Sequence, residues 1–162
     1  WYTGLTKDLV LMTNAELGYL GYYNKEVGES PYERFFVGGD GMAQYQLDGR
    51  ETIALRGYEN GRVSSIAGGT IYNKFQMELR YPITLKPSAS IYALGFLEAG
   101  NAYDGFEEYN PFKLKRSAGL GLRIFMPAFG LLGIDFAHGF DPLPGGTEKS
   151  GWQTHFIIGQ QF

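Results

Sequence analysis

The sequence predicts an all-β chain that forms one wall of an antiparallel transmembrane β-barrel, six strands and the stub of a seventh. Three observations predict it. Apolar and polar residues alternate with a period of two in segment after segment. The connections between these segments alternate between short and long. Glycine and aromatic residues are abundant together, with 24 Gly, 12 Tyr and 12 Phe in 162 residues, as in sheets where rings pack across strands and glycines ease tight turns.

Taken in order, Trp1 to Thr6 is the stub, and Thr6-Lys7-Asp8 a tight turn. From Leu9 to Tyr23, Leu9, Leu11, Ala15, Leu17 and Tyr19 share one face, and Asn14, Glu16 and Gly18 the other. A long connection follows, from about Asn24 to Gly69. Ile71 to Ile83 alternates best: Ile71, Phe75, Met77, Leu79 and Tyr81 oppose Tyr72, Lys74, Gln76, Glu78 and Arg80, a separation that a helix would scatter around its circumference. After a short turn at Lys86-Pro87-Ser88, Ser90 to Tyr103 is apolar on both faces near Tyr92 to Leu97. Periodicity alone leaves a short buried helix open there, although Gly95 and Gly100 count against one.

A longer loop, Asp104 to Pro111, leads to a strand over Phe112 to Met126, and Pro127-Ala128-Phe129-Gly130 turns tightly into Leu131 to Phe140. In that segment Leu132, Ile134, Phe136 and Phe140 oppose Gly133, Asp135, Ala137 and Gly139. The loop Asp141 to Ser150 precedes the last strand, Gly151 to Phe162. There Trp152, Thr154, Phe156, Ile158 and Phe162 point one way, and Gln153, His155, Gly159 and Gln161 the other.

Sorting loops by length is a habit of outer-membrane barrels, with short periplasmic turns and long outer loops; a soluble sandwich or lipocalin-like barrel, the alternative, has no reason for it. Roughly 9 to 11 tilted residues cross the hydrocarbon layer as a strand. No run of about 18 apolar residues exists, which excludes a membrane-spanning helix. In such a barrel the apolar face meets lipid and the polar face lines the lumen. Open edges are costly there, so closure needs further strands or another chain. No charged n-region precedes an apolar stretch, and Trp1 already lies in strand-like material, which predicts a fragment or a processed form. With no Cys there is no disulfide framework or thiolate metal site. A net charge of -3 without Lys/Arg clustering speaks against nucleic acid. Mean hydropathy is only -0.20.

The long connection exceeds the lengths usual for connectors and is therefore a candidate for function. It carries Glu33-Arg34-Phe35-Phe36-Val37-Gly38-Gly39 and then Leu55-Arg56-Gly57-Tyr58-Glu59. These segments resemble the BamA-type outer-membrane protein insertase family, in which an (F/Y)-x-x-G-G segment precedes a (V/L)-R-G-(F/Y) motif in the sixth extracellular loop. The resemblance continues in order along nearly the whole chain. Gly68-Gly69 with Met77-Glu78-Leu79-Arg80-Tyr81-Pro82 is similar to the family's twelfth strand, and Phe96-Leu97-Glu98-Ala99-Gly100-Asn101-Ala102-Tyr103 to its thirteenth. Arg116-Ser117-Ala118-Gly119-Leu120-Gly121-Leu122-Arg123 resembles the fourteenth and Gly133-Ile134-Asp135-Phe136-Ala137 the fifteenth. His155-Phe156-Ile157-Ile158-Gly159-Gln160-Gln161-Phe162 resembles the carboxy-terminal signal with its final aromatic.

The resemblance implies the carboxy-terminal part of a sixteen-stranded barrel in the outer membrane of a Gram-negative bacterium, with the loop at about 24–69 folded into the lumen. It implies that Arg56 pairs with Glu78 and Glu98. Alternation already puts Glu78 on the lumen side; for Glu98 the family supplies the face, and many relatives have the shorter Asp there. A guanidinium's planar fork suits carboxylates, Gly57 permits a backbone closed to other residues, and Tyr58 is placed to wedge against the wall. Read without the family, Arg56 is a solvated loop charge.

The function implied is non-enzymatic. Unfolded outer-membrane protein clients are folded and inserted at a seam between the first and last strands, with accessory assembly-complex subunits and outer-membrane lipid and lipopolysaccharide as further partners. Phe156, Ile158, Gly159 and Phe162 carry the signal and the seam strand, where Gly159 weakens pairing or packs closely on a neighbour. Alternatives are a two-partner secretion transporter or a translocation and assembly module on the same barrel, a passive porin, and an outer-membrane lipid hydrolase, for which no Ser/His pair is evident. No cofactor is called for: neither His138 nor His155 has metal-ligand company in sequence, and Gly38-Gly39-Asp40-Gly41 lacks the spacing and helix of a phosphate loop. His155 reads as a lumen-facing residue and His138 as an interfacial one. Lys113, Lys115 and Arg116 read as a solvated strand end, with lipopolysaccharide phosphate as the sharper alternative. Trp152, Tyr22, Tyr23 and Tyr81 suit aromatic girdles.

Overall fold

The structure is a computed structural model that describes residues 1–22, 28, 33–41, 51–86, 88–127 and 130–159. Its frame is one seven-stranded antiparallel sheet: β1 (Tyr2–Gly4), β2 (Val10–Tyr19), β5 (Ile71–Lys86), β6 (Ala89–Tyr103), β7 (Lys115–Met126), β8 (Gly130–Pro142) and β9 (Lys149–Gly159). They lie side by side in chain order, and the sheet does not close on itself. Between β2 and β5 the chain adds a short parallel pair, β3 (Phe35–Val37) and β4 (Glu51–Ile53).

Alternation decides which side chains share a face. Met77 lies opposite Thr13 and Leu97, and Glu78 opposite Met12 and Phe96, so each strand adds one row to each side. One face is apolar and bare: Leu17, Phe75, Met77, Leu97, Leu120, Phe136, Phe156 and Ile158 are all exposed. Among the described residues no second layer covers them. A water-soluble sandwich would bury such a row against a facing sheet. The opposite, inner face carries the polar alternates, and the loop holding β3 and β4 lies on it.

Segment Ser90 to Tyr103, ambiguous by period, is a strand, because it pairs along nearly its whole length with β5 and β7. Pro82 is accommodated in β5 at an irregularity in register between Pro82 and Thr84. Several boundaries differ from the expectation by two residues or more. β2 ends at Tyr19, β5 runs on to Lys86, β8 runs on to Pro142, β9 begins at Lys149, and β7 begins at Lys115 instead of Phe112. The last has a local cause: the Asn110 side chain accepts the Phe112 amide and its carbonyl accepts the Lys113 amide, making a turn of residues 110–113. Ile71 shares the apolar face with Phe75 but is buried, as are Asn101 and Tyr103 near the same strand ends. The β6–β7 connection folds against that part of the sheet, with the Lys113 carbonyl accepting from both Asn101 and Tyr103. Tyr22, Tyr81 and Trp152 are exposed; Tyr23 and Phe162 lie outside the described residues.

The described part of the loop has its own core. Phe35, Val37, Ile53, Leu55, Tyr58 and Val63 pack together with Tyr72 of β5. Backbone bonds between Gly39 and Leu55, and between Phe35 and Gly69, tie its turns into one body.

Candidate functional site

The tip of that body, Arg56-Gly57-Tyr58, rests on the inner face. Arg56 is almost fully buried, and every polar group of its side chain has an anionic partner. Its Nε and Nη2 donate to Glu98 Oε1 at 2.9 and 2.6 Å, and its backbone amide to Glu98 Oε2 at 2.7 Å. Nη2 also donates to Glu78 Oε1 at 2.7 Å, and Nη1 to Asp135 Oδ2 at 3.0 Å. The guanidinium carbon stands 3.6 Å from the centre of the Phe96 ring, within cation–π range. Burial works against the charge, but the carboxylates of Glu98, Glu78 and Asp135 outweigh it and hold the Arg56 pKa above its ordinary value.

The carboxylates are themselves held. Arg80 lies on Glu78 at 2.6 Å, and Gln76 donates to the same carboxylate at 2.8 Å. Arg123 grips Asp135 with two parallel bonds of 2.6 and 2.7 Å, the bidentate geometry that favours arginine. Arg56, Arg80 and Arg123 thus balance Glu78, Glu98 and Asp135 charge for charge. Removing one partner would leave a buried charge uncompensated. Glycines make room for the cluster: a Cβ on Gly121 would stand 1.9 Å from Asp135 Oδ1.

Gly57 has a φ of 86°, a region that L side chains rarely adopt. A Cβ there would also meet Ser117 Cβ at 2.8 Å. The bare backbone therefore lies flat on β7 and β8, and its amide donates to His155 Nε2 of β9 at 2.9 Å. Tyr58, fully buried, donates its hydroxyl to the Arg116 carbonyl at 2.7 Å and accepts the Asp141 amide at 3.3 Å. Burial pushes its phenol up to about 12.

Arg56, Glu78 and Glu98 are therefore brought together, with Gly57 and Tyr58 beside them. Phe156 and Ile158 stand apart, exposed on the bare face of β9. Gly159 is the last described residue of β9, with a φ of 132°, and a Cβ there would meet no described residue within 4 Å. Asp135, Arg123 and Phe96 are members of the cluster that sequence reasoning missed. An Asp between Ile134 and Phe136 was the available signal for the first. His155 lies on the inner face, while His138 packs against Phe140 and Trp152 on the other. Of the basic trio, Lys115 donates to the Pro142 carbonyl and Arg116 pairs with Asp141.

The model of the Omp85 superfamily domain matches residues 1–162, the whole chain. No curated protein matches it.

Proposed function

Because the chain belongs to the Omp85 superfamily, a group of outer-membrane proteins of Gram-negative bacteria or organelles, we propose that it is the carboxy-terminal part of a sixteen-stranded transmembrane barrel that folds and inserts other barrel proteins. The superfamily includes both outer-membrane insertases and two-partner secretion transporters. The insertase reading is supported by the ordered resemblance along the strands and by the aromatic carboxy-terminal signal.

The observation that carries a working machine over a passive pore is the docking of Arg56. A passive water-filled pore does not require a lumen loop with its own core and a buried arginine set among three carboxylates. The bare apolar face meets lipid, and further strands or another chain complete the wall. Clients arrive unfolded from the periplasm, with accessory subunits of the assembly complex, and their first strand pairs with the free edge of β9 by strand addition. Near Gly159 that edge turns out of regular extended backbone, which suits a seam that opens. Lipopolysaccharide and other outer-membrane lipids are the surrounding solvent. No cofactor or bound metal enters this reading, and free energy comes from folding and burial of the client.

The test is Arg56→Ala or Glu98→Ala in the full-length protein, with insertion of a second barrel protein into the outer membrane as readout. The expected result is impaired client insertion with the sheet largely intact; unchanged insertion would falsify the role given to this pairing. A secretion transporter would instead export a soluble partner and leave barrel insertion untouched.

A further inference from the structure

Among the described residues β9 is the edge of the sheet, with a strand partner on one side. It has a second attachment, to the loop tip, through one of its side chains, His155. The Gly57 amide is a fixed donor, so the imidazole nitrogen 2.9 Å away accepts. An imidazole accepts at Nε2 only when that nitrogen carries no proton, which makes this residue neutral with its hydrogen on Nδ1. The ring is buried and sits directly across the strand pair from Asp135. Around it stand Asp40 and Arg56 of the loop, Glu98 of β6 and Asp135 of β8, the last engaged by Arg123 of β7. The same loop tip is held to β5, β6 and β8 through Arg56; its bond to β9 is through Gly57.

We infer that His155 is a positioning residue that fastens the loop tip to the terminal strand through its neutral imidazole, so that protonating it unfastens β9 from the loop. Protonation turns Nε2 into a donor facing the Gly57 N–H, and two donors cannot bond. The bonds of Arg56 to β5, β6 and β8 do not involve the imidazole. The loop therefore stays on the wall while the edge strand loses its second hold. The inference deepens the assembly reading and rests on it for its meaning, since β9 is the strand on which a client would pair.

Hydrogen exchange of the full-length protein in lipid vesicles tests it, read on the segments 55–58 and 151–159 and corrected for the pH dependence of intrinsic exchange. Three proteins are compared: wild type, His155→Leu, which has no acceptor, and His155→Gln, whose amide oxygen accepts but does not titrate. At about pH 7.5, His155→Leu is expected to exchange about fivefold faster in both segments, the scale of one lost hydrogen bond, and His155→Gln to stay within about twofold of wild type. As the pH is lowered stepwise from there, wild type is expected to loosen toward the leucine variant while His155→Gln does not respond. Wild-type protection of the Gly57 amide in His155→Leu would overturn the inference, and so would an acid response of His155→Gln equal to that of wild type. Client insertion assayed on the same vesicles keeps the two readings apart. Wild-type protein that inserts no client while showing the expected exchange pattern removes the assembly function and supports the fastening role.

Discussion

Gly57 and Gly139 meet backbone to backbone: a Cβ on Gly139 would stand 2.3 Å from the Gly57 carbonyl oxygen, and one on Gly57 would stand 3.0 Å from the Gly139 amide. The loop reaches the inner wall because neither residue has a side chain. Gly139→Ala should lift the loop tip at an expected cost of about 1 to 3 kcal/mol, the usual range for overpacking. Gly57→Ala should cost more, because it adds a strained φ to the clash. Proteolysis of the loop in the otherwise folded barrel checks both; a loop as resistant as wild type in Gly139→Ala would refute the contact.

Arg56→Lys should behave almost like Arg56→Ala. An ammonium is a point charge on a flexible stem and cannot reach Glu78, Glu98 and Asp135 together. Either change leaves buried carboxylates short of a cation, with an expected loss of about 3 to 5 kcal/mol in loop docking. Crosslinking yield between loop and wall, compared across the three proteins, measures it; a lysine variant at wild-type yield would mean that charge alone suffices.

Asp135→Asn and Glu98→Gln remove one charge each yet should differ in reach. Among the described residues Glu98 bonds only to Arg56 of the loop, whereas Asp135 also holds Arg123 of the neighbouring strand. The expected outcome is a loosened loop in Glu98→Gln, and in Asp135→Asn a loosened loop together with a lower unfolding temperature of the barrel. Equal unfolding temperatures in the two variants would show that the Arg123 pairing adds nothing to the wall.

Tyr58 gives the docked loop an alkaline limit. Its phenol lies at about 12 in the folded protein, against an ordinary value of about 10. A folded-state pKa raised above the unfolded one means a contribution fully present below about pH 10 and lost as pH rises through about 12. Loop protection measured from neutral to strongly alkaline pH should fall in that window. Tyr58→Phe should be less protected at neutral pH, by about 1 to 2 kcal/mol, and should lack the alkaline step that the phenol contributes.

The frame was legible in the sequence because a strand with one face in one medium and one in another must alternate, and Phe75, Met77 and Leu79 against Gln76, Glu78 and Arg80 do so without interruption. The parallel pair β3–β4 was not legible. Three residues are too few to show a period, and its partners are separated by residues 38–50. At the site, Arg56, Gly57, Tyr58, Glu78 and Glu98 were readable from the ordered motifs. Asp135 and Arg123 had the right face but no visible partner, since which inner carboxylate meets a loop arginine depends on the stagger of strands far apart in sequence. Phe96 lay in the segment whose two faces look alike. The part played by His155 depends on a backbone amide, and backbone amides carry no sequence signature.

The placement of the loop tip has a mechanical consequence. Five neighbouring staves, β5 to β9, are bolted to one hub by bonds that tolerate only a few tenths of an ångström of stretch. Spokes of fixed length set the radius of a wheel. The arc cannot flatten or widen at that height unless a spoke parts first.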